Sequence, residues 1–400
     1  MNKPLEGVRI LDLTHMLSGP YGAMILADLG AETIKVEPLH GEGTRKLLAT
    51  DPDNSLDGMG AYYITLNRNK KSVAIDLKSE AGKEVFRDLV KRADVVISNF
   101  GVGVPERLGI DYDSLAKVNP RIITCTVTGF GSDGPKPRRP AFDQVAQAMG
   151  GGMSITGPDP EHQVRAGIPI GDLGGGMFAV MGILSAIVER ERSGKGQHVD
   201  ISMLDCQVSM LNYMATMYFL SGKDPYPIGN SHFVHVPYNT FRTADGWIVI
   251  AVITDNFWQY LKKVVDIPEF DDPKYDGQPG RWEDREMINR RLDEVLSTRD
   301  SAHWLSALEE KRIPCAPVNR FSQALSDEQV LHRNMVVDLP HPNGKTTRGP
   351  GNPIKLSRTG EECFTAAPEV GQDTEAVLRN LLGYPEERIR QLKDDDTVGG

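Results

Sequence analysis

LEGVRILDLTHMLSGPYGAMILADLGAETIKVE, residues 5–37, decides the fold. Within it, GVRILDL (7–13) reads as a buried strand, PYGAMILADLG (20–30) as a helix opened by Pro20 and closed by Gly30, and ETIKVE (32–37) as the next strand. Strand, helix and strand at this spacing form one βαβ unit, and the pattern recurs outward along the chain. KSVAIDL (71–77) is followed by a helical stretch over 79–93, then by DVVISNF (94–100), and RIITCTVTGFG (121–131) makes a further strand ending in glycines. Such alternation predicts an α/β fold with a largely parallel sheet covered by helices on both faces. Ligands of such sheets bind beyond the carboxyl ends of the strands. The loops to watch are therefore Thr14-His15, Glu37-Pro38, Asn99-Phe100 and Thr128-Gly129.

Further along, the pattern changes. After a helical stretch of about 204–221, the Pro/Gly-rich connector SGKDPYPIGN (221–230) leads into YNTFRTADGWIVIAV (238–252), a hairpin turning at Asp245-Gly246. Amphipathic helices over 256–265, 285–296 and 302–311 and a strand in RIPCAPV (312–318) complete a smaller α+β domain. HPNGK (341–345) begins a third stretch of strand and loop, and the helical tail over 375–392, which lacks a core of its own, is expected to return to the first domain.

Composition bounds the function classes. The 400 residues, 40% hydrophobic and 25% charged, match an ordinary globular protein of more than one domain. The 45 basic and 55 acidic residues leave a net charge of −10, which disfavours nucleic acid and anionic membranes as general partners. The longest strongly apolar run, Met177 to Val188, has 12 residues against the ~20 that span a bilayer, and reads as a buried helix. Glu6, Arg9 and Asp12 interrupt any signal-like start, so a cytoplasmic location is expected. Cys125, Cys206, Cys315 and Cys363 are far apart, and the nine histidines show no ligand spacing such as HExxH, so neither a disulfide framework nor a metal is predicted.

The segment richest in chemistry is GIPIGDLGGGMFAVMGILSAIVER (167–190), where Asp172 stands alone in an otherwise uncharged glycine-rich loop just before an apolar helix. Amides near a helix start stabilise an anion. Asp172 is thus suited to act as a nucleophile toward an activated carbonyl, while spacing alone favours the plainer role of an N-cap, for which Asp is a preferred residue; both stay open. His15 sits at a strand exit, with no GxSxG serine, GxGxxG fingerprint or P-loop lysine to accompany it. Arg45, Lys46, Arg68, Lys70, Lys71, Arg107, Lys136, Arg138 and Arg139 cluster at loops, suiting either phosphate oxygens or a solvated charged face.

Taken in order, the 5–37 stretch, LNRNKKSVAIDLK (66–78), ADVVISNFGVGVPERLGID (93–111), VTGFGSDGP (127–135), GDLGGG (171–176) and SGKGQHVDISMLD (193–205) resemble the class III CoA-transferase family over nearly the whole chain. That family includes formyl-CoA:oxalate and carnitine CoA-transferases as well as α-methylacyl-CoA racemases. The resemblance implies a large Rossmann-like domain from residues 1–220 and 330–400, a small domain from 221–329, and an interlocked homodimer. It implies that Asp172 is the nucleophile, forming an acyl-aspartyl anhydride and then an aspartyl-CoA thioester. No permanently bound cofactor is implied, since the CoA thioester is a substrate and its activation is conserved by exchange. CoA contacts map to Leu17, Ser18, Ile75, Asp76, Leu77, Lys78, Asn99, Phe100, Gly101, Arg107 and Arg139, and an acyl pocket to His15, Tyr62, Asp143 and His235.

Departures from the family's pattern narrow the substrate. Leu17 replaces a glutamine of formyl-CoA transferase, and the tetraglycine loop of that enzyme is missing around His232 to Tyr238. SHFVHVPYNTF (231–241) offers His232, His235 and Tyr238 to a second carboxylate, which favours exchange between succinyl-CoA and a C4–C6 dicarboxylate. The racemase branch requires a histidine where this chain has Phe142, and a side chain that cannot titrate cannot exchange an α-proton. A non-catalytic acyl-CoA binding protein is the third alternative.

Overall fold

Seven strands make one sheet whose order is the first feature of the computed structural model, which describes residues 3–400. In chain order these are β1 (Arg9–Asp12), β2 (Glu32–Glu37), β3 (Lys70–Ile75), β4 (Val95–Ser98), β5 (Ile123–Thr128), β6 (His198–Ser202) and, from the C-terminus, Val398–Gly399. The first six are parallel in the order 3-2-1-4-5-6, and the last pairs antiparallel on the β3 edge. The order reverses between β1 and β4, so the crevice between their carboxyl ends is where a ligand fits this topology. The fold is thus α/β with a large, parallel-dominated sheet. It divides into a unit of residues 1–152, 166–221 and 329–400 and a second unit of 153–165 and 222–328. The sequence reading counted 153–165 with the large domain.

Local chemistry explains the helices of the large unit. Helix α1 (Ser18–Asp28) begins directly after the loop leaving β1, with Pro20 in its first turn where a missing N–H costs nothing, and Gly30 ends the connection in a left-handed conformation (φ 102°). Helix α2 (Ala61–Asn67) precedes β3, and α3 (Glu80–Val90) is capped by Ser79, whose Oγ accepts the Gly82 amide at 3.0 Å. The short α4 (Val104–Leu108) follows β4, and α5 (Asp143–Met149) precedes the long α6 (Ile170–Ser193).

The glycine-rich segment is helical, not a loop. Its glycines let α1 and α6 approach: a Cβ on Gly176 would lie 2.6 Å from the Ser18 carbonyl oxygen, and one on Gly22 would lie 2.9 Å from that of Gly176. Nor is the apolar run fully buried, since Met177, Met181 and Val188 fall on one helical stripe that faces outward. Helix α6 is long and apolar enough to cross a membrane by length and composition. Its packing on α1, β5 and β6 accounts for that apolarity without a bilayer. The stretch over 204–221 splits at Asn212, left-handed at φ 50°, into α7 (Met203–Met210) and α8 (Tyr213–Ser221).

Two cores flank the sheet. One combines Leu11, Ile34, Val73, Phe86 and Leu89 with Val377, Leu378, Ile389 and Leu392 of the C-terminal tail, and the other combines Ile10, Leu26, Val95, Ile97 and Ile183. Buried ion pairs cross the large unit, among them Lys70 to Asp12 at 2.7 Å, Arg68 to Asp28 at 2.7 Å, Arg45 to Glu37 at 2.6 Å and Lys35 to Glu42 at 3.8 Å. The basic cluster seen in the sequence is therefore in good part internal. Arg68 and Lys70 lie at the amino end of β3, where carboxylates of α1 and β1 meet them, and Lys71 pairs with Glu32.

In the second unit, β7 (Tyr238–Arg242) and β8 (Trp247–Ala251) form the hairpin around Asp245-Gly246, and β9 (Cys315–Pro317) pairs antiparallel with β8. Helices α9 (Asp255–Val265), α10 (Arg285–Leu296) and α11 (Ser301–Glu310) bury Trp258, Leu261, Ile288, Leu292 and Leu308 against it.

Candidate active site

The reversal of strand order does open a cavity, of about 670 Å³, at the carboxyl ends of β1 to β4. Thr14 and His15 after β1, Glu37 and Pro38 after β2, Asp76 to Lys78 after β3, Phe100 after β4 and Arg107 on α4 line it. Its walls carry apolar side chains together with the cations Lys78 and Arg107 and the carboxylates Glu37, Glu42 and Asp76, a lining that suits an elongated organic ligand. Of the residues mapped to CoA contacts, Ile75, Asp76, Leu77, Lys78, Phe100 and Arg107 line this cavity. Leu17, Ser18, Asn99, Gly101 and Arg139 do not, and the Arg139 guanidinium lies instead 5.7 Å from the centre of the Phe130 ring. Arg107 is exposed and has no hydrogen-bond partner among the described residues.

The loop from Thr14 to Leu17 is held from outside itself. Thr14 donates its N–H to Asp12 Oδ1 at 2.9 Å, and its carbonyl accepts Lys35 Nζ at 2.9 Å. Asn99 takes the His15 N–H at 3.0 Å and gives its own amide to the His15 carbonyl at 2.7 Å. Met16, left-handed at φ 64°, donates its N–H to Thr44 Oγ1 at 3.1 Å, and Thr44 is fixed in turn by Glu42. Asn99 is thus occupied with loop shape, a role its place in SNF after β4 did not show. Lys35, Glu42 and Thr44 were missed altogether; a lysine inside ETIKVE carries no signal of what its ammonium meets. His15 packs against Phe100 with ring centres 5.8 Å apart, and burial lowers its imidazole below the ordinary value despite the opposing charge of Glu42.

Asp172 occupies the first turn of α6, half buried, and its carboxylate has no hydrogen-bond partner among the described residues. It is not the N-cap: Pro169 holds that position, and the capping role falls to Asp143 from the neighbouring helix. Asp143 Oδ1 accepts the Gly171 N–H at 2.8 Å and the Asp172 N–H at 3.3 Å. Burial and, after it, the nearby negative charge of Asp143 push the Asp172 carboxyl up to about 6. Tyr62 belongs to the same cluster, its phenol pushed up to about 12 by burial and then by the charges of Asp172, Glu42 and Asp143. The cavity loop and the Asp172 helix are linked through α1, because Ser18 follows the loop directly and packs on Gly175. Ser18 Oγ is buried there without a hydrogen-bond partner.

A carboxylate that is ionised at neutral pH, unpartnered and more basic than usual is a competent nucleophile for an activated acyl group. A family model described as CoA-transferase family III matches residues 5–374. The chain belongs to this family. The family III chain is 38% identical over 386 residues to acetyl-CoA:oxalate CoA-transferase of Acetobacter aceti, covering 96% of this chain and 97% of that protein. It is 36% identical over 392 residues to succinyl-CoA:glutarate CoA-transferase of Mus musculus, covering 98% and 89%. A crystal structure of a CAIB/BAIF family protein from Brucella suis superposes with a TM-score of 0.86 at 34% identity, over 96% of this chain and 100% of that one. This chain is accordingly an enzyme, a family III CoA-transferase.

The remaining residues mapped to the acyl pocket divide between the two units. His15, Tyr62 and Asp143 lie in the large unit, whereas His235 lies in the second. There His235, His232, Tyr238, Trp282 and Arg285 line a cavity of about 320 Å³. His232 Nδ1 accepts the amides of Val234 and His235 at 3.0 and 3.1 Å, which fixes that nitrogen as unprotonated. Among the described residues no group of three or more His, Cys, Asp or Glu side chains is placed to hold a metal.

Proposed function

We propose that this enzyme transfers CoA from succinyl-CoA to a C4–C6 dicarboxylic acid by covalent catalysis at Asp172. The Asp172 carboxylate attacks the thioester carbonyl and expels CoA thiolate, giving a mixed anhydride. The thiolate attacks the aspartyl carbonyl, which releases the donor acid and leaves an aspartyl-CoA thioester. The acceptor carboxylate attacks that thioester, and the freed thiolate returns to the acceptor's acyl carbon, regenerating Asp172. One observation carries this reading: an unpartnered, half-buried carboxylate in the first turn of α6, pushed up to about 6. The cavity at β1 to β4 suits the CoA moiety, with Arg107 and Lys78 available to its phosphates. A racemase would need a second titratable group where Phe142 stands, 65% exposed.

The test is incubation in D2O with succinyl-CoA, a panel of mono- and dicarboxylic acids and 2-methylacyl-CoA, read by mass spectrometry of all CoA esters. A new ester with a dicarboxylate is expected. Deuterium at the α-carbon without any new ester would instead establish racemisation.

The same reading makes the protein an interlocked homodimer. Helix α8, YMATMYFLS, has no buried residue, and Phe219 and Leu220 are 81% and 83% exposed. An apolar helix left bare in one chain is the surface that association covers. Sedimentation at twice 44.1 kDa is expected, and a stable monomer would remove this part of the proposal.

A further inference from the structure

Asp143 stands one residue after Phe142, at the start of α5, and was mapped to the acyl pocket. Both of its carboxylate oxygens are already occupied by the protein. Oδ1 takes the amides of Gly171 at 2.8 Å and Asp172 at 3.3 Å, while Oδ2 accepts Gln147 Nε2 at 2.8 Å. Gln147 is oriented for this by its other end, whose Oε1 accepts the Ala166 amide at 2.9 Å. Gly171 has a matching reason to be glycine, since a Cβ there would lie 3.0 Å from Asp143 Oδ1 and 2.9 Å from the Asp143 carbonyl oxygen. The contact is therefore built from both sides.

Resting on the nucleophilic role of Asp172, we propose that Asp143 is a positioning residue: it takes up the amides at the start of α6 so that they do not neutralise the Asp172 carboxylate. Amides at a helix start stabilise a nearby anion and make it less basic. Here a second carboxylate consumes two of them and adds like charge beside the nucleophile. The groups that face Asp172 in this way are Asp143 from α5 and Tyr62 from α2, and neither supplies a positive charge. The direction of the Asp172 shift agrees with the geometry.

Two variants separate this role from substrate binding. Asp143→Asn keeps an acceptor oxygen for the amides but removes the charge. Gly171→Ala keeps every ionisable group and displaces the contact. For Asp143→Asn the acid limb of the kcat profile should move to lower pH and kcat at pH 7 should fall about tenfold, with KM for the acceptor acid within about twofold of wild type. Gly171→Ala should likewise lower kcat and spare KM, which keeps the proposal testable if the asparagine variant fails to fold. Independently of turnover, Asp172 titrated by carboxyl carbon NMR, its signal assigned by loss in Asp172→Asn, should titrate at lower pH in Asp143→Asn. An unchanged titration, or a rise in KM for the acceptor with an unmoved acid limb, would overturn the positioning role. Transfer that survives in Asp172→Asn would overturn the nucleophile reading instead, and the NMR titration would still judge Asp143.

Discussion

Asp172→Asn should abolish CoA transfer, with turnover falling on the order of 10⁴-fold or more while the acyl-CoA still binds. The substitution preserves side-chain shape and leaves the Gly171 and Asp172 amides on Asp143, so the first turn of α6 keeps its support. What disappears is the carboxylate that, in the proposed mechanism, carries CoA from one acid to the other. Wild-type enzyme incubated with succinyl-CoA and no acceptor should show an aspartyl-CoA adduct by intact mass, and the variant should show none. Retention of more than about 1% of wild-type turnover would rule out Asp172 as the nucleophile. The same carboxyl sets a pH dependence. Because burial and Asp143 push it up to about 6, it is ionised at neutral pH and protonated below, so kcat should decline about tenfold per pH unit below that point.

The largest effect on stability should come from Lys70→Met. Lys70 Nζ is fully buried and uses all its donors, on Asp12 Oδ2 at 2.7 Å, Asn67 Oδ1 at 3.1 Å and the Pro20 carbonyl at 3.2 Å. Burial brings this lysine down to about 8 even against the attraction of Asp12, and burial would raise Asp12 were it not for Lys70 and Lys35. Removing Lys70 leaves the buried Asp12 charge with its direct partner gone and only Lys35 nearby to balance it, a loss of about 3–5 kcal/mol. Urea unfolding followed by far-ultraviolet circular dichroism measures it as a lower midpoint with an unchanged slope. Asp12→Leu combined with Lys70→Met should recover part of the loss, since the pair as a whole contributes far less than breaking it costs. A single variant within about 1 kcal/mol of wild type would mean that Asp12 accepts a proton or water without penalty.

The sheet and its crevice were legible because β1, α1 and β2 each carry their own signal: short apolar runs for strands, and Pro20 and Gly30 for the ends of a helix. The hairpin at Asp245-Gly246 was legible for the same reason. GDLGGG was misread as a loop because repeated glycine is a local breaker, whereas here the glycines serve a crossing with α1 that only tertiary structure supplies. Arg68 and Lys70 read as facing either phosphate or solvent and face neither, because charge can be read from sequence and partners cannot: Asp28 and Asp12 lie 40 and 58 residues away. Asn99 and Asp143 belong to the same class, since each spends its side chain on the backbone of a distant segment.

The loop from Thr14 to Leu17 owes its course to Asp12, Lys35, Thr44 and Asn99, and of its own side chains the Thr14 hydroxyl alone is seen to join in, donating to Asp12 Oδ1. Its path and its chemistry are therefore separable. Substituting His15 repaints the wall of the cavity while the backbone follows the same track, whereas a change at Lys35 or Asn99 redraws the track and leaves the paint untouched. A designer altering the side chains around the cavity would therefore leave the four outer anchors alone.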